Sequence, residues 1–176
     1  MPLCNIVVRT LSFDPETAFG QVRDLVGEYS PRVIVGESWG ANLALCIPDI
    51  PVLLVSPALG CPRYLCLASP LCKLGFIRKA LENKYKAKNA GRQEVRFDPQ
   101  LLAKWTYFRR LSISTSHPYV RAFFGSRDSF RRSGVVNINC FIRRYGKNYT
   151  VYDGSHWMEE AYVYSDLMPA IAALLR

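Results

Sequence analysis

Histidine is scarce in this sequence: His117 and His156 are the only two among 176 residues. Any chemistry that needs an imidazole is therefore confined to two positions. Cysteine is not scarce, but the six present never fall into a CxxC pair. Cys61, Cys66 and Cys72 lie closest together, yet have no histidine near them, which argues against the four ligands of a structural zinc site. Cys4, Cys46 and Cys140 sit in apolar segments and read as small buried side chains. Six cysteines in a chain of this length do not make a disulfide scaffold. No apolar run approaches the roughly 20 residues of a membrane-spanning helix, which excludes that class. The start Met-Pro-Leu-Cys-Asn-Ile-Val-Val-Arg-Thr lacks the basic segment, long apolar stretch and small-residue cleavage site of a secretory leader, so the expected location is cytoplasmic. Internal repeats and low-complexity segments are absent too.

What is present is the composition of one ordinary domain. Apolar residues make up 49% and charged residues 21%, enough to bury a core and too little charge for a disordered chain. The net charge of +9 is concentrated: residues 73–110 hold eleven Lys and Arg against Glu82, Glu94 and Asp98. Such a patch suits nucleic acid, an acidic partner or an anionic substrate, or is simply the solvated face of helices. Nucleic acid is the weaker reading. Its stacking candidates Tyr85, Trp105, Tyr107 and Phe108 fall on the apolar faces of their helices, where core packing is the simpler role.

Short apolar runs alternate with helical patterns, the signature of an α/β domain whose mostly parallel sheet is flanked by helices. The expected strands are Asn5–Val8 continuing toward Leu11, Arg32–Val35, Val52–Val55, Tyr119–Phe124 and Tyr149–Tyr152. Asp14-Pro15 starts a helix with a cap and a proline, and Phe19, Val22, Leu25, Val26 and Tyr29 form its buried face. A closing helix is expected from about Asp166 to Leu175. Residues 60–117 break the rhythm with two helices, near Ile77–Lys88 and from Asp98-Pro99 onward. A connection of that length reads as a helical cap inserted in a single domain, 1–176.

Gly36-Glu37-Ser38-Trp39-Gly40 follows one expected strand and precedes the helix-like Ala41-Asn42-Leu43-Ala44-Leu45. The Gly-x-Ser-x-Gly pattern between strand and helix makes a turn so tight that glycine is expected on both sides of the serine. Ser38 is then lifted clear of the sheet as a candidate nucleophile. A serine hydroxyl needs a base to take its proton. His156, in Asp153-Gly154-Ser155-His156-Trp157, follows the last strand at the same carboxyl edge, where catalytic groups of parallel sheets gather. His117 precedes a strand and belongs to the opposite edge, a structural or surface position. Asp128 follows the fourth strand and is the expected carboxylate partner of His156. Asp153, three residues before His156, would have difficulty facing the ring. The order Ser, Asp, His along the chain is that of α/β-hydrolases.

On these residues the sequence resembles the small bacterial esterases of the α/β-hydrolase fold, the YqiA-like group in particular. Pro51–Ala58 after the elbow and the Gly125–Asp128 turn add to the likeness. The resemblance implies a serine esterase, with Ser38 as nucleophile, Asp128 as acid and His156 as base. Trp39 N–H would be an oxyanion donor, since the residue after the nucleophile supplies one in this fold. Trp39 and Trp157 are candidates to line the acyl pocket, with Trp157 as the substrate-binding residue, and core packing is the equal alternative for aromatic side chains at these positions. The substrate would be a small acyl ester, and the mechanism asks for no metal or organic cofactor. In one respect the chain departs from the group, whose members begin with a strand and a loop that completes the oxyanion hole. That strand and loop are missing here. Either the first strand takes that place, or Met1 is an internal methionine of a longer protein. The alternative function is a catalytically impaired binding or structural protein of the same fold.

Overall fold

The computed structural model describes residues 5–60, 70–88 and 96–176, with side chains of 84–88 excepted. Cys4, Cys61 and Cys66 lie outside this range. Four strands form one sheet: β1 (Ile34–Glu37), β2 (Val52–Val55), β3 (Val120–Gly125) and β4 (Tyr149–Tyr152). They run in the order β1-β2-β3-β4, every pair parallel. Two of the expected strands have the expected bounds. Two shift by one or two residues, and the first is not a strand.

Residues 5–10 are exposed and lie outside the sheet, Val8 at 78%. A run such as Ile6-Val7-Val8 suits a pleated, half-buried surface, but that preference yields when no neighbour offers one. The segment reaches the core only at Leu11 and Phe13. Among the described residues, the outer edge of β1 therefore has no partner strand.

The sheet is covered on both faces because its strands alternate two apolar sets. Val52 and Leu54 of β2, with Val120, Ala122 and Phe124 of β3, meet Ala41 and Ala44 of α2 (Gly40–Ala44) and Leu45 just after it. Leu53, Val55 and Phe123 point the other way, toward Leu167 and Ala170 of the closing helix. That helix runs from Glu160 to Leu174 with a π-helical turn at Val163–Leu167, so it starts earlier than its periodicity suggests.

α1 (Pro15–Tyr29) is capped by Asp14, whose carboxylate accepts from the amides of Glu16 and Thr17, both at 3.0 Å. Of the two helices in the 60–117 segment, α3 spans Gly75–Lys88 and α4 spans Pro99–Ser114. α4 is capped by Asp98 and buries Leu101, Leu102, Trp105 and Phe108. These side chains join the cluster that holds Phe13, Ala18, Val22 and Leu43, and Trp105 Nε1 donates to the carbonyl of Phe13 at 3.2 Å. Trp105 and Phe108 are thus core residues, whereas Tyr107 is exposed. α5 (Ser129–Arg132) and α6 (Ile138–Tyr145) fill the connection from β3 to β4.

Cys46 is buried, its Sγ donating to the carbonyls of Asn42 and Phe108, and desolvation pushes its thiol up to about 12. Cys72 is buried as well, whereas Cys140 is only partly covered. No described helix is long and apolar enough to cross a membrane.

Lys104 of α4 clamps the start of α1 by reaching both Asp14 and Glu16 at 2.9 Å. Partial burial pushes the Asp14 carboxyl up, but the hydrogen bonds from Lys104 and the cap amides outweigh it and the net shift is downward. A carboxylate depressed in the folded state stabilises above its unfolded pKa and loses that contribution as pH falls. Asp14→Ala should therefore cost about 1 kcal/mol near neutral pH, the usual worth of an N-cap. In urea titrations this gap from the parent chain should narrow as the pH is lowered below about 4.

Candidate active site

Parallel pairing brings the carboxyl ends of all four strands to one edge, and Ser38, Asp128 and His156 meet there. Ser38 immediately follows β1 and has φ 52°, a left-handed conformation that costs a non-glycine residue about 1–3 kcal/mol. Two backbone bonds to the end of β2 hold it: Ser38 N–H donates to Val55 O at 2.9 Å, and Ala58 N–H donates to Ser38 O at 3.0 Å. The chain turns straight into α2. A Cβ on Gly36 would sit 2.8 Å from Ala44 Cβ and 2.9 Å from Ala41 Cα, so glycine there lets helix and strand touch. The sequence pattern also asked for glycine at position 40. The structure does not, because a Cβ on Gly40 would meet nothing within 4 Å; α2 leaves the turn in a direction that keeps this position open.

Asp128 ends the turn after β3 and caps α5, with Oδ1 accepting from the Phe130 amide at 2.8 Å. Its other oxygen faces His156 Nδ1 at 2.8 Å. The loops after β3 and β4 are laced together: Ser126 N–H donates to Tyr152 O and Arg127 N–H to Gly154 O, each at 2.9 Å. Gly125 makes this approach possible, since a Cβ there would overlap the Ser155 carbonyl oxygen. His156 Nε2 lies 2.9 Å from Ser38 Oγ.

The chemistry of these atoms fixes the direction of both bonds. A carboxylate only accepts, so Nδ1–H donates to Asp128, and in the neutral imidazole that leaves Nε2 to accept from the Ser38 hydroxyl. Asp128 and His156 are 3% and 5% exposed, whereas Ser38 is half-buried. The pair is shielded from competing water and the hydroxyl can still be reached.

The rival residues are placed elsewhere. Asp153 is exposed, accepting from Ser126 Oγ at 3.0 Å and pairing with Arg127 Nε at 3.3 Å. His117 lies at the opposite edge, its Nε2 3.0 Å from Leu45 O. Trp39 opens α2, so its amide has no acceptor one turn back in that helix. Its indole turns into the core, with ring centroids 4.5 Å from Trp105 and 5.4 Å from Phe13. Trp157 lies against the imidazole at 4.8 Å.

No family model matches the chain, and no curated protein is similar to it. A solved structure of a protein provisionally described as the non-heme bromoperoxidase BpoC, from Mycobacterium tuberculosis H37Rv, is similar at 14% identity. The likeness covers 94% of this chain and 74% of that one, with a TM-score of 0.47. No residue role is carried across from it.

Phe130 is a member of the site that the sequence reading passed over. Its ring packs 4.5 Å from the imidazole while its amide holds Asp128. The available signal was its place two residues after a capping aspartate, where an amide bond to the cap is expected. Nothing in the sequence showed that the ring would turn toward a histidine 26 positions later.

The two elbow glycines should respond differently to one methyl group. Gly36→Ala should lose about 1–3 kcal/mol through overpacking, while Gly40→Ala should stay neutral or gain up to about 1 kcal/mol through helix propensity. Thermal unfolding of the two variants beside the parent chain reads this difference.

Proposed function

We propose that the chain is a serine hydrolase of the α/β-hydrolase type that cleaves small carboxylic esters through an acyl-enzyme. The observation that carries this reading is the unbroken sequence of contacts from Ser38 Oγ to His156 Nε2 and from Nδ1 to Asp128, on a strained strand-to-helix turn. Ser38 Oγ attacks the acyl carbon as its proton passes to Nε2. Asp128 holds the tautomer and stabilises the imidazolium that forms. The Trp39 amide is the first oxyanion donor in this proposal. The YqiA-like likeness and the cap role of 60–117 belong to the same reading, with α4 as the part of that segment anchored in the core. No step calls for a metal or an organic cofactor.

One observation favours the impaired alternative. In the group this sequence resembles, the loop after an N-terminal strand gives the second oxyanion donor, and residues 5–10 form no such strand here. Losing one such donor costs about 10²–10³ in turnover, so the alternative predicts an assembled nucleophile with feeble ester cleavage.

A fluorophosphonate separates these cases, read by intact mass. One adduct per chain is expected, with none on Ser38→Ala, and Asp128→Asn should slow the reaction by about 10³–10⁴ through the wrong imidazole tautomer. Adduct formation without measurable hydrolysis of short-chain esters would favour the impaired protein. Absence of any adduct on the parent chain would overturn both readings of the site.

A further inference from the structure

An open depression beside the triad is lined by Arg127, Ser129, Phe130, Ser155, His156 and Trp157. Arg127 comes from the turn after β3, Ser129 and Phe130 from the start of α5, and the other three from the loop after β4. It touches the base and does not include Ser38. In acyl transfer these two groups serve different parts of the substrate. The acyl carbon is bonded to Ser38 Oγ, whereas the leaving oxygen must sit where Nε2 can return a proton to it. A recess that adjoins His156 without Ser38 is therefore placed for the alcohol portion, not for the acyl chain assigned to Trp157 from the sequence.

The chemistry of its walls selects among alcohols. Phe130 and Trp157 flank the imidazole, with ring centroids 4.5 and 4.8 Å away. Arg127 brings the only formal charge besides a protonated His156, and that charge is answered by Asp153: Nε lies 3.3 Å from its carboxylate and Nη2 donates to its carbonyl at 2.8 Å. Ser155 Oγ donates to the Trp157 carbonyl at 3.0 Å, so this hydroxyl already has an acceptor within the protein. Two aromatic faces beside an arginine already paired and a Ser155 hydroxyl already bonded suit a flat, neutral, largely apolar ligand, with the exposed Ser129 as the remaining polar side chain of the wall.

Resting on the hydrolase reading above, we infer that this depression is the leaving-group subsite and takes an aryl or arylmethyl alcohol. When the tetrahedral intermediate collapses, the bond from carbon to the alcohol oxygen breaks and its electron pair stays on that oxygen. The Nε2 proton passes to the same oxygen, and the neutral alcohol leaves between Phe130 and Trp157. Water then enters the vacated space and its oxygen bonds to the acyl carbon as its proton passes to Nε2. The bond from that carbon to Ser38 Oγ then breaks, the Nε2 proton returns to Oγ and the acid is released.

Benzyl and 2-methoxyethyl butyrate test this, because they share an acyl group and their alcohols are of similar acidity. The benzyl ester should be preferred in kcat/KM by about tenfold, the range of one apolar group in a pocket. Trp157→Ser should collapse that preference toward unity, and Trp157→Phe should keep most of it. As an independent readout, benzyl alcohol should intercept the butyryl-enzyme better than 2-methoxyethanol in the parent chain, and lose that advantage in Trp157→Ser. Equal rates for the two esters in the parent chain, or equal losses on both in Trp157→Ser with unchanged partitioning, would overturn the subsite. Fluorophosphonate labelling distinguishes the two failures, since fluoride leaves without an alcohol. A labelled Ser38 with no alcohol preference removes the subsite alone, whereas an unlabelled Ser38 removes the hydrolase reading and the subsite with it.

Discussion

Parallel pairing of the four strands is the constraint from which the candidate site follows. Parallel strands need crossovers that return the chain to the starting edge, so every carboxyl end emerges on the same side. Ser38, Asp128 and His156 leave β1, β3 and β4 on that side, although they are spread over 119 positions of the chain. Had any one of these strands run antiparallel, its functional residue would stand at the far edge, as His117 does. The site is thus a property of the sheet before it is a property of any side chain.

Within that frame, the approach of backbone to backbone sets the distances. α2 closes on β1 over Gly36, and the β4 loop closes on β3 over Gly125. These are the places where one carbon atom more would push the donor and acceptor atoms of Ser38, His156 and Asp128 apart. The left-handed backbone of Ser38 is held by the hydrogen bonds to Val55 and Ala58. A strained residue persists when its surroundings over-determine it, and here the Ser38 N–H is tied to the end of β2 and its C=O to the loop that follows.

The two flanks of the candidate site differ in kind. On the β1 side, Trp39, Phe13 and Trp105 form a continuous aromatic cluster that belongs to the core. On the β3–β4 side, Phe130 and Trp157 line an open depression beside the imidazole. The same residue types therefore serve core packing on one flank and the wall of an open depression on the other. Lys104 links the halves of the first flank by tying α4 to the start of α1, which uses part of the basic charge of residues 73–110 inside the molecule.

By itself the sequence determined the fold class, the strands at Val52–Val55 and Tyr149–Tyr152, both Asp-Pro helix starts and the three residues that meet at the edge. Each of these rests on local information: apolar runs, capping chemistry, and a turn whose serine lies between glycines. Only the tertiary structure decided the rest. Ile6-Val7-Val8 has the composition of a strand, but a strand exists by virtue of its neighbour, and the sheet offers this segment none. Gly40 matches a motif whose steric reason depends on the exit angle of α2, which no pentapeptide encodes. Phe130 acquired its place beside His156 because two segments far apart in the chain pack against each other, and residue spacing carries no record of such a contact.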